Sequence, residues 1–523
     1  MIRILTSLVA VLTVVSVNSQ TTLKETPKLV VGITIDQLRG DYLELFQPNF
    51  TEGGFKRLLN GGLVYKNIKF DFPDINAAAA IATIYTGANP FYHGITDYSA
   101  YSIDKGKILP IFGDDSYLGN YTQEKMSPKA LKVSTITDEL RIASLGFSEI
   151  YSFAPNAAEA LITSSNAGNT AYWLDDYTGK WATSTYYKNF HWTVDQENRN
   201  SVYSTSLGSL SWKPLLSAQR YNAFPYTATN TAFQHLFDSY SLVKKTPLTN
   251  DYVCSTGLQF VSKADLGKRS YPDFLSFAFY LGNYPKAVNK NYSIEIQDAY
   301  VRLDRNIEQL LNDLDKSVGL NNVLIFVSST GYYDADDLYP ADINMPDGVF
   351  YTNRCEALLN MYLMAIYGKE QWVDKIYNNQ VFLNRKLIQN KNLDIVDFQN
   401  KVADFIVQFT GVQDVATSMQ LLTAKANDNM IRYKNIYNKD VSGDVFFEIQ
   451  PGYRIVNEQD AAKQEKRVRE TAVAAPVVFF GYSIKPQKIY RTIDATEIAP
   501  TVSHILRIRA PNASKSQVLP EFL

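Results

Sequence analysis

The feature that most constrains the fold is an unbroken apolar segment near the start of the chain. Residues 28–35 read KLVVGITI, and Asp36 follows directly. A run of this length without polar alternation is typical of a strand that is buried on both faces in a parallel sheet. We therefore predict a β-strand here, with Asp36 at its carboxyl end.

Four later segments have the same character and alternate with segments of helical periodicity. The strand-like runs cover residues 149–153, 274–280, 323–327 and 477–480. Helical patterns cover residues 77–85, 127–143 and 294–314. Strands that alternate with helices predict a sheet with helices on both faces. The predicted fold class is α/β, with one central mixed sheet flanked by helices.

Two segments interrupt this alternation. Residues 165–245 are rich in Tyr, Ser, Thr, Asn and Trp, which predicts β-rich decoration of the core. Residues 340–440 carry further helical patterns. We interpret both segments as cap insertions in one domain that spans residues 20–523.

The charge balance argues against a nucleic-acid binder. The 523 residues include 51 Lys and Arg against 53 Asp and Glu, which gives a formal net charge of −2. Neutralising phosphates requires a basic excess or a basic stripe. We therefore predict that nucleic acid is not a partner.

The N-terminal segment predicts export. Arg3 precedes an apolar run over residues 8–17, and the small residues Val17 and Ser19 follow at the spacing of a cleavage site. We interpret residues 1–19 as a secretory signal. The alternative is a membrane anchor, but the run is shorter than the roughly 20 residues that a bilayer core requires. The predicted location is the periplasm, the outer membrane surface or the cell surface, with no transmembrane segment in the mature chain.

The chain has two cysteines, Cys254 and Cys355. In an oxidising compartment they could form one disulfide, which would stabilise the fold by roughly 4 to 5 kcal/mol in the chain-entropy model. Two buried thiols in apolar helical surroundings explain the same sequence. Both interpretations are open at this point.

Several longer motifs resemble a known family. They include KLVVGITIDQLRGDYL, GGFKRLLNGG, IYTGANPFYHGI, LKVSTITDELR and IDATEIAPTVSHILRI. On these motifs the chain resembles the type I phosphodiesterase/nucleotide pyrophosphatase group of the alkaline phosphatase superfamily, most closely its bacterial secreted phosphate-irrepressible alkaline phosphatases. The resemblance implies an alkaline-phosphatase-like fold. It also implies two zinc ions held by Asp and His, with a Thr or Ser nucleophile attacking phosphorus between them.

Compared with the family pattern, one ligand position is retained and the other functional positions are changed. Asp36 matches a carboxylate ligand, whereas the nucleophile position falls on Ala77, whose methyl group cannot form a phosphoryl intermediate. The positions that contact the phosphoryl oxygens fall on Tyr98 or Ser99, Asn156 and Ala158. The remaining ligand positions fall on Leu281, Pro285, Thr330 and Gly331.

None of the four histidines stands at a ligand position. They are His93, His191, His235 and His504. We therefore predict no zinc site and no cofactor. Carboxylates elsewhere leave an alternative, because Asp71, Asp74 or the loop over residues 334–337 could bind a hard cation such as Mg²⁺. A solvated acidic loop is the simpler interpretation of the last of these.

These changes predict a catalytically inactive member of the family, a pseudoenzyme. We expect it to act as a binding or scaffolding subunit of a protein assembly in the bacterial cell envelope, with envelope or outer-membrane proteins as partners. The alternative is a divergent metal-dependent phosphatase or phosphodiesterase that uses Asp36 and other carboxylates. A third possibility is a binding protein that holds a phosphorylated or sugar ligand in the family's cleft.

Overall fold

The computed structural model describes most of the chain after its N-terminal segment. The described ranges are residues 25–187, 190–221, 232–287, 293–334, 348–423, 428–459, 465–468 and 474–523. The predicted signal segment, residues 1–19, lies outside these ranges. So do Asp336 and Asp337 of the acidic loop.

Ten strands form one large mixed sheet in the described part of the chain. In chain order they are β1 (Leu29–Asp36), β2 (Leu63–Lys69), β5 (Gly119–Asn120), β6 (Ile150–Ala154), β7 (Thr170–Leu174), β8 (Trp181–Ser184), β11 (Asp273–Tyr280), β12 (Val323–Ser329), β20 (Val477–Gly481) and β21 (Gln487–Asp494). Across the sheet the order is β21-β2-β20-β12-β1-β11-β6-β7-β8-β5. β1 is central and pairs in parallel with β11 and β12.

The alternation of side chains along β1 explains its unbroken apolar sequence. Val31, Ile33 and Ile35 belong to the core on one face of the sheet. Val30 belongs to the core on the opposite face. Both faces are covered, so every residue of the strand before Asp36 is buried. The predicted α/β class with a central mixed sheet is confirmed.

Helices cover both faces of the sheet. Their bounds are α1 (Gly40–Leu45), α2 (Phe55–Gly61), α3 (Ala77–Thr86), α4 (Pro90–His93), α5 (Ile136–Ala143), α6 (Ala157–Ser164), α7 (Trp192–Asn200), α8 (Val202–Thr205), α9 (Tyr240–Val243), α10 (Pro247–Lys263), α11 (Ile294–Ser317), α12 (Thr352–Tyr367), α13 (Arg385–Asn390), α14 (Ile395–Ile406), α15 (Ser418–Thr423), α16 (Asp428–Ile436) and α17 (Ile498–Leu506). Helices α1, α2, α10 and α11 contribute to the core with Val31. Helices α3, α5, α6 and α17 contribute to the core with Val30.

Smaller sheets lie outside the central one. They are formed by β3 (Ser99–Ser102) with β4 (Lys107–Pro110), β9 (Ser211–Trp212) with β10 (His235–Leu236), β13 (Val349–Tyr351) with β18 (Arg454–Val456) and β19 (Glu465–Arg467), and β14 (Val373–Tyr377) with β15 (Gln380–Leu383), β16 (Val412–Thr417) and β17 (Val445–Ile449). The last sheet and helices α12 to α14 share a hydrophobic core of their own. Within residues 165–245, β7 and β8 belong to the central sheet.

Both cysteines are buried free thiols. Cys254 lies on α10, and its Sγ donates to the carbonyl oxygen of Asn306 at 3.4 Å. Cys355 lies on α12 in the separate core described above. In the described ranges, no helix combines the length and the apolar character that a membrane crossing requires.

The parallel strands end together at one edge of the sheet. β1 and β11 end at the paired residues Asp36 and Tyr280. β12 ends just before Thr330, and β6 leads through Asn156 into α6. Carboxyl ends of parallel strands are where open α/β sheets bind ligands. We therefore expect the functional site at this edge of the sheet.

Candidate active site

A cleft of about 440 Å³ opens at this edge of the sheet. Its charged and amide lining residues are Asp36, Gln37, Glu124, Asn156, Glu159, Asp176, Lys244, Lys245 and Asp334. Its aromatic lining residues are Tyr98, Phe112, Phe279, Tyr280 and Tyr332. The cleft thus has carboxylates in excess of cations, with aromatic walls.

Asp36 is held in place at the end of β1. Its Oδ1 accepts a hydrogen bond from the Thr330 hydroxyl at 2.8 Å. The backbone N–H of Leu281 donates to the Asp36 carbonyl oxygen at 2.9 Å, which continues the pairing of β1 with β11. Two neighbouring strands therefore fix both the backbone and the carboxyl group of Asp36.

Gln37 connects Asp36 to the beginning of the acidic loop. It adopts a left-handed backbone conformation with φ of 62° and is buried. Its Nε2 donates to Asp334 Oδ2 at 3.0 Å, and its Oε1 accepts from the backbone N–H of Asp334 at 2.8 Å. A left-handed non-glycine residue costs free energy and is typical of functional sites. The reciprocal pair holds Asp334 at the wall of the cleft.

Glu159 lies across the cleft on the first turn of α6 and is almost fully buried. The hydroxyl of Tyr98 and the side-chain amide of Asn156 donate to its Oε1, each at 2.9 Å. Tyr98 and Asn156 occupy two positions that the family resemblance assigns to phosphate contacts. Here their side chains bind the carboxylate of Glu159 instead. This reverses the charge that the family resemblance implies for this part of the cleft.

The two carboxyl groups are electrostatically coupled. Burial and, to a smaller extent, the nearby charge of Glu159 raise the pKa of Asp36 to about 7, although hydrogen bonds from Thr330 and Tyr332 act in the opposite direction. Burial also raises the pKa of Glu159, and its hydrogen bonds from Asn156 and Tyr98 oppose that rise. The pKa values of both carboxyl groups are therefore raised, and the two groups titrate as a coupled pair.

Such a pair can perform acid–base chemistry. A carboxyl group with a pKa near the working pH can donate a proton and recover it in each turnover. Two carboxyl groups in one cleft whose environments differ can act as acid and base respectively. Asp36 and Glu159 together therefore offer one group that can act as an acid and one that can act as a base.

Two lysines supply positive charge at one wall of the cleft. This wall is formed by α9 and the residues that follow it. Lys244 is mostly buried, and its Nζ contacts Asp176 Oδ1 at 2.6 Å. Lys245 is exposed and lines the same cleft. The described cleft therefore combines a carboxyl pair with a local cationic wall.

The residues at the other family positions are mostly buried, and none of them is a metal ligand type. Ala77 begins α3, where the side chain of Asn76 caps the helix by accepting from the backbone N–H of Ala79 at 3.0 Å. Ala158 is buried on α6, and Leu281 is buried after β11. Pro285 is exposed.

The described residues do not fit a pair of zinc ions. Gly331 has φ of 77°, and a Cβ at this residue would lie 2.4 Å from the ring of Phe70. A histidine there would therefore need backbone strain and displacement of a buried ring. Among the residues that the structure describes, no group of three or more His, Cys, Asp or Glu could hold a metal ion.

The four histidines lie away from the cleft. His93 is buried, its Nε2 lies 3.2 Å from the Thr83 hydroxyl, and burial lowers its pKa to about 3. His191 caps α7, and His235 contacts Glu295 at 3.0 Å. His504 lies on α17. Each has a structural environment that is separate from Asp36.

The structure also separates Asp71 and Asp74 from the cleft. Asn435 donates to Asp71 Oδ2 at 3.1 Å, and Asn379 donates to Asp74 Oδ2 at 3.3 Å. Of the acidic loop, only Asp334 falls in the described ranges and reaches the cleft. Among the described carboxylates proposed for a hard cation, Asp334 lines the same cleft as Asp36, whereas Asp71 and Asp74 do not.

Sequence reasoning missed Glu159. It lies in the segment FAPNAAEAL, one residue beyond Ala158, and an isolated glutamate on a helix is normally a surface residue. The signal that could have found it is the apolar character of α6, because a glutamate among Ala, Leu and Ile must be buried or face a cavity.

Comparison with known proteins gives consistent results. The family model described as type I phosphodiesterase / nucleotide pyrophosphatase matches residues 30–472. A protein named calcium-transporting ATPase from Myroides odoratus is 30% identical, with 94% of this chain and 93% of that protein covered. Alkaline phosphatase PhoV from Synechococcus elongatus is 29% identical, with 95% and 93% covered.

A third relative has a known structure. Alkaline phosphatase PafA from Elizabethkingia meningoseptica is 27% identical, with 95% of this chain and 94% of that protein covered. Its crystal structure superposes with a TM-score of 0.83 over 95% of this chain and 99% of that chain. The similarity therefore extends over nearly the whole chain.

The prediction that the chain is not an enzyme is wrong. Relatives named as alkaline phosphatases align over more than nine-tenths of both chains, which points to an enzyme. The prediction judged the cleft only by the zinc and phosphate positions of the family. It did not consider the buried carboxyl pair, which can move protons. The relatives favour the alternative, a divergent metal-dependent phosphatase or phosphodiesterase that uses Asp36 and other carboxylates, over the pseudoenzyme.

The family model covers most of the chain, and the relatives and the PafA structure match it from end to end. The sequence motifs and the central mixed sheet agree with that match. The chain therefore belongs to the type I phosphodiesterase / nucleotide pyrophosphatase family.

Proposed function

We propose that the protein is a divergent phosphodiesterase that hydrolyses its substrate with the carboxyl pair Asp36 and Glu159 in place of two zinc ions. The observation that supports this most strongly is the placement of the half-buried Asp36 and the buried Glu159 in one cleft, with Tyr98 and Asn156 orienting Glu159. Perturbed carboxyl groups in a cleft at the carboxyl edge of a parallel sheet are typical of catalytic sites.

The proposed reaction is a single displacement by water. Glu159 accepts a proton from the water molecule as its oxygen forms a bond to phosphorus. The bond between phosphorus and the leaving ester oxygen breaks, and Asp36 donates its proton to that oxygen. The products are a phosphate monoester and an alcohol, and the proton returns from Glu159 to Asp36 through solvent. Each step is general acid–base catalysis by a positioned group.

The charges of the cleft favour a diester over a monoester. A phosphodiester carries one negative charge, whereas a monoester carries up to two near neutral pH, and Glu159 and Asp334 repel both. Lys245 and the partly neutralised Lys244 offset part of that repulsion. A protonated Asp36 can also donate a hydrogen bond to a phosphoryl oxygen, as neutral carboxylic acids do at other anion sites.

We also propose that the protein acts in the cell envelope, with another envelope protein as partner. The apolar N-terminal segment over residues 8–17 supports export. The aromatic residues Trp192 and Tyr177 are exposed on the described surface and would suit a contact with a protein. Crosslinking of intact envelopes followed by identification of the crosslinked peptides tests this proposal.

The hydrolysis proposal is tested by turnover of a chromogenic phosphodiester near pH 6.5. We expect Glu159→Gln to lower kcat by about 100-fold or more, because the base is removed while the shape is kept. Glu139→Gln is the matched control, since Glu139 is buried on α5 and bonded to Ser134 and Arg509 outside the cleft. Equal activity of the two variants would overturn the proposed role of Glu159.

A further inference from the structure

Four exposed apolar side chains lie together at the edge of the sheet opposite the cleft. They are Ile142, Leu145, Phe147 and Tyr271, with 63%, 80%, 63% and 39% of their surface exposed. We call them the apolar patch. The first three precede β6, and Tyr271 precedes β11, so the patch lies at the amino ends of these parallel strands. Clustered exposed apolar residues mark interaction sites more often than scattered ones do.

The turn that carries Leu145 is rigid and strained. Leu145 has φ of 54°, a conformation that glycine and asparagine adopt more readily than leucine. The backbone N–H of Gly146 donates to the Arg141 carbonyl at 2.8 Å, and that of Phe147 donates to the Ser144 carbonyl at 3.0 Å. The Arg141 guanidinium also donates to the carbonyl oxygen of Ser148. The side chain of Leu145 is exposed at the tip of this turn, so core packing does not explain why a leucine occupies the left-handed conformation.

The two loops of the patch form one continuous surface. The rings of Phe147 and Tyr271 are stacked, with centroids 5.4 Å apart and planes 11° apart. Beneath them, the backbone N–H of Glu149 donates to Asp273 Oδ1 at 2.8 Å. Arg269 donates to the other oxygen of Asp273 at 2.9 Å. The apolar side chains are therefore presented together by a fixed backbone.

Basic residues surround the patch. Lys263, Lys268 and Arg269 precede Tyr271 in the chain and are exposed. Lys28 is also exposed. It lies next to this segment, because its carbonyl oxygen accepts a hydrogen bond from the backbone N–H of Asp273 at 3.0 Å. Asp265, which pairs with Lys268, and the buried Asp273 neutralise only part of this charge.

The chain also enters the described fold at this edge. Lys28 leads directly into β1, and the N-terminal segment with its apolar run precedes it. The amino end of β1 and the apolar patch therefore lie at the same edge of the sheet.

From these observations we infer that the apolar patch docks on an anionic lipid surface. Aromatic and aliphatic tips insert among lipid headgroups, and surrounding lysines and arginines attract negative lipids. The opposite edge, with the cleft, then faces away from the membrane. β1 has eight residues, so the cleft would stand roughly 25 Å above the docking edge.

The test is binding of the exported chain to lipid vesicles, with its N-terminus determined by mass spectrometry. One set of vesicles contains phosphatidylglycerol with phosphatidylcholine, and the other contains phosphatidylcholine alone. The variant is Leu145→Asn with Phe147→Ser, in which asparagine suits the left-handed backbone. Leu118→Asn is the matched control, because Leu118 is 62% exposed and lies outside the patch. Thermal unfolding of each variant checks that the fold is retained.

We expect binding to the anionic vesicles, a loss of about tenfold or more in the partition coefficient of the patch variant, and no change for Leu118→Asn. Hydrogen–deuterium exchange should slow in residues 142–147 and 265–272 when the anionic vesicles are added. Exchange that is unchanged in both segments would overturn the inference, even if the N-terminal segment binds the vesicles. Protection of these segments by an envelope protein, without protection by lipid, would also overturn it.

Discussion

Thr330 donates its hydroxyl hydrogen bond to Asp36 Oδ1 at 2.8 Å, and the same hydroxyl oxygen accepts from the backbone N–H of Gln37 at 3.0 Å. One side chain thus orients the carboxyl group at the end of β1 and satisfies the strained residue that follows it. In the family pattern this position belongs to a metal ligand. Here it serves the carboxyl group, so its removal should change the titration of Asp36.

We expect Thr330→Val to raise the pKa of Asp36 above its value of about 7, by about one pH unit, because the hydrogen bond that favours the ionised form is lost. The alkaline limb of the pH–rate profile should move upward by a similar amount. The variant should also lose about 1 to 2 kcal/mol of unfolding free energy, because the N–H of Gln37 loses its partner. Thr330→Ser keeps the hydroxyl and should keep the profile. An unchanged alkaline limb in Thr330→Val would contradict the role of this bond.

Asp36→Asn should stabilise the fold at alkaline pH. Folding raises the pKa of Asp36 from near 3.8 to about 7, so the folded state binds its proton more tightly than the unfolded state does. That contribution to stability is complete below about pH 4 and is lost as pH rises through about 7. Asparagine stays neutral, so at pH 8 the variant should unfold with roughly 1 to 3 kcal/mol more free energy than the parent chain.

Chemical denaturation at pH 4 and pH 8 measures this difference. The gain in unfolding free energy of Asp36→Asn should shrink toward zero at pH 4, because Asp36 is then protonated in the folded parent chain. A gain of the same size at both pH values would show that ionisation of Asp36 is not its cause. Asp41→Asn is a suitable control, because Asp41 is an exposed carboxylate outside the cleft.

The strand pattern could be predicted from the sequence because burial on both faces leaves a direct signature. The run before Asp36 is apolar except for Thr34, and β1 has a covered core on each side. The helix over residues 77–85 was also predictable from a local signal, because Asn76 caps it and Gly87 ends it with φ of 64°. Both features depend on residues that are close in sequence.

The carboxyl pair could not be predicted in this way, because it depends on contacts between distant segments. Asp36 and Glu159 reach the same cleft because β6 lies two strands from β1 in the sheet and α6 begins at the same edge. Comparison with the family pattern correctly located Asp36 but treated residues 156 and 158 as losses. The side chain of Asn156 and the neighbouring Glu159 form a different arrangement that no local pattern reveals.

Gly331→Ala tests whether the cleft could ever accept a larger residue at this position. A Cβ there would lie 2.4 Å from the Phe70 ring, and φ is 77°. We expect a loss of about 2 to 4 kcal/mol from strain and overpacking together. Gly106→Ala is the matched control, because φ is 62° there but nothing lies within 4 Å of the added carbon. It should cost only about 1 kcal/mol. Equal losses, measured by urea denaturation, would show that the clash with Phe70 has no effect.

The rate of turnover should fall as the pH rises through about 7. The proposed reaction needs a protonated Asp36 as the acid, and Asp36 loses its proton in this range. The measurement is kcat/KM for a phosphodiester across this range. A rate that keeps rising into alkaline solution would contradict the assignment of Asp36 as the acid.

The most direct measurement is phosphodiester turnover after exhaustive treatment with a metal chelator, for the parent chain and for Asp36→Asn. Acid–base catalysis by the carboxyl pair predicts that the parent chain keeps its rate without metal and that Asp36→Asn loses about 100-fold or more. A parent chain with no turnover at all, or one whose turnover appears only when zinc is restored, would contradict it.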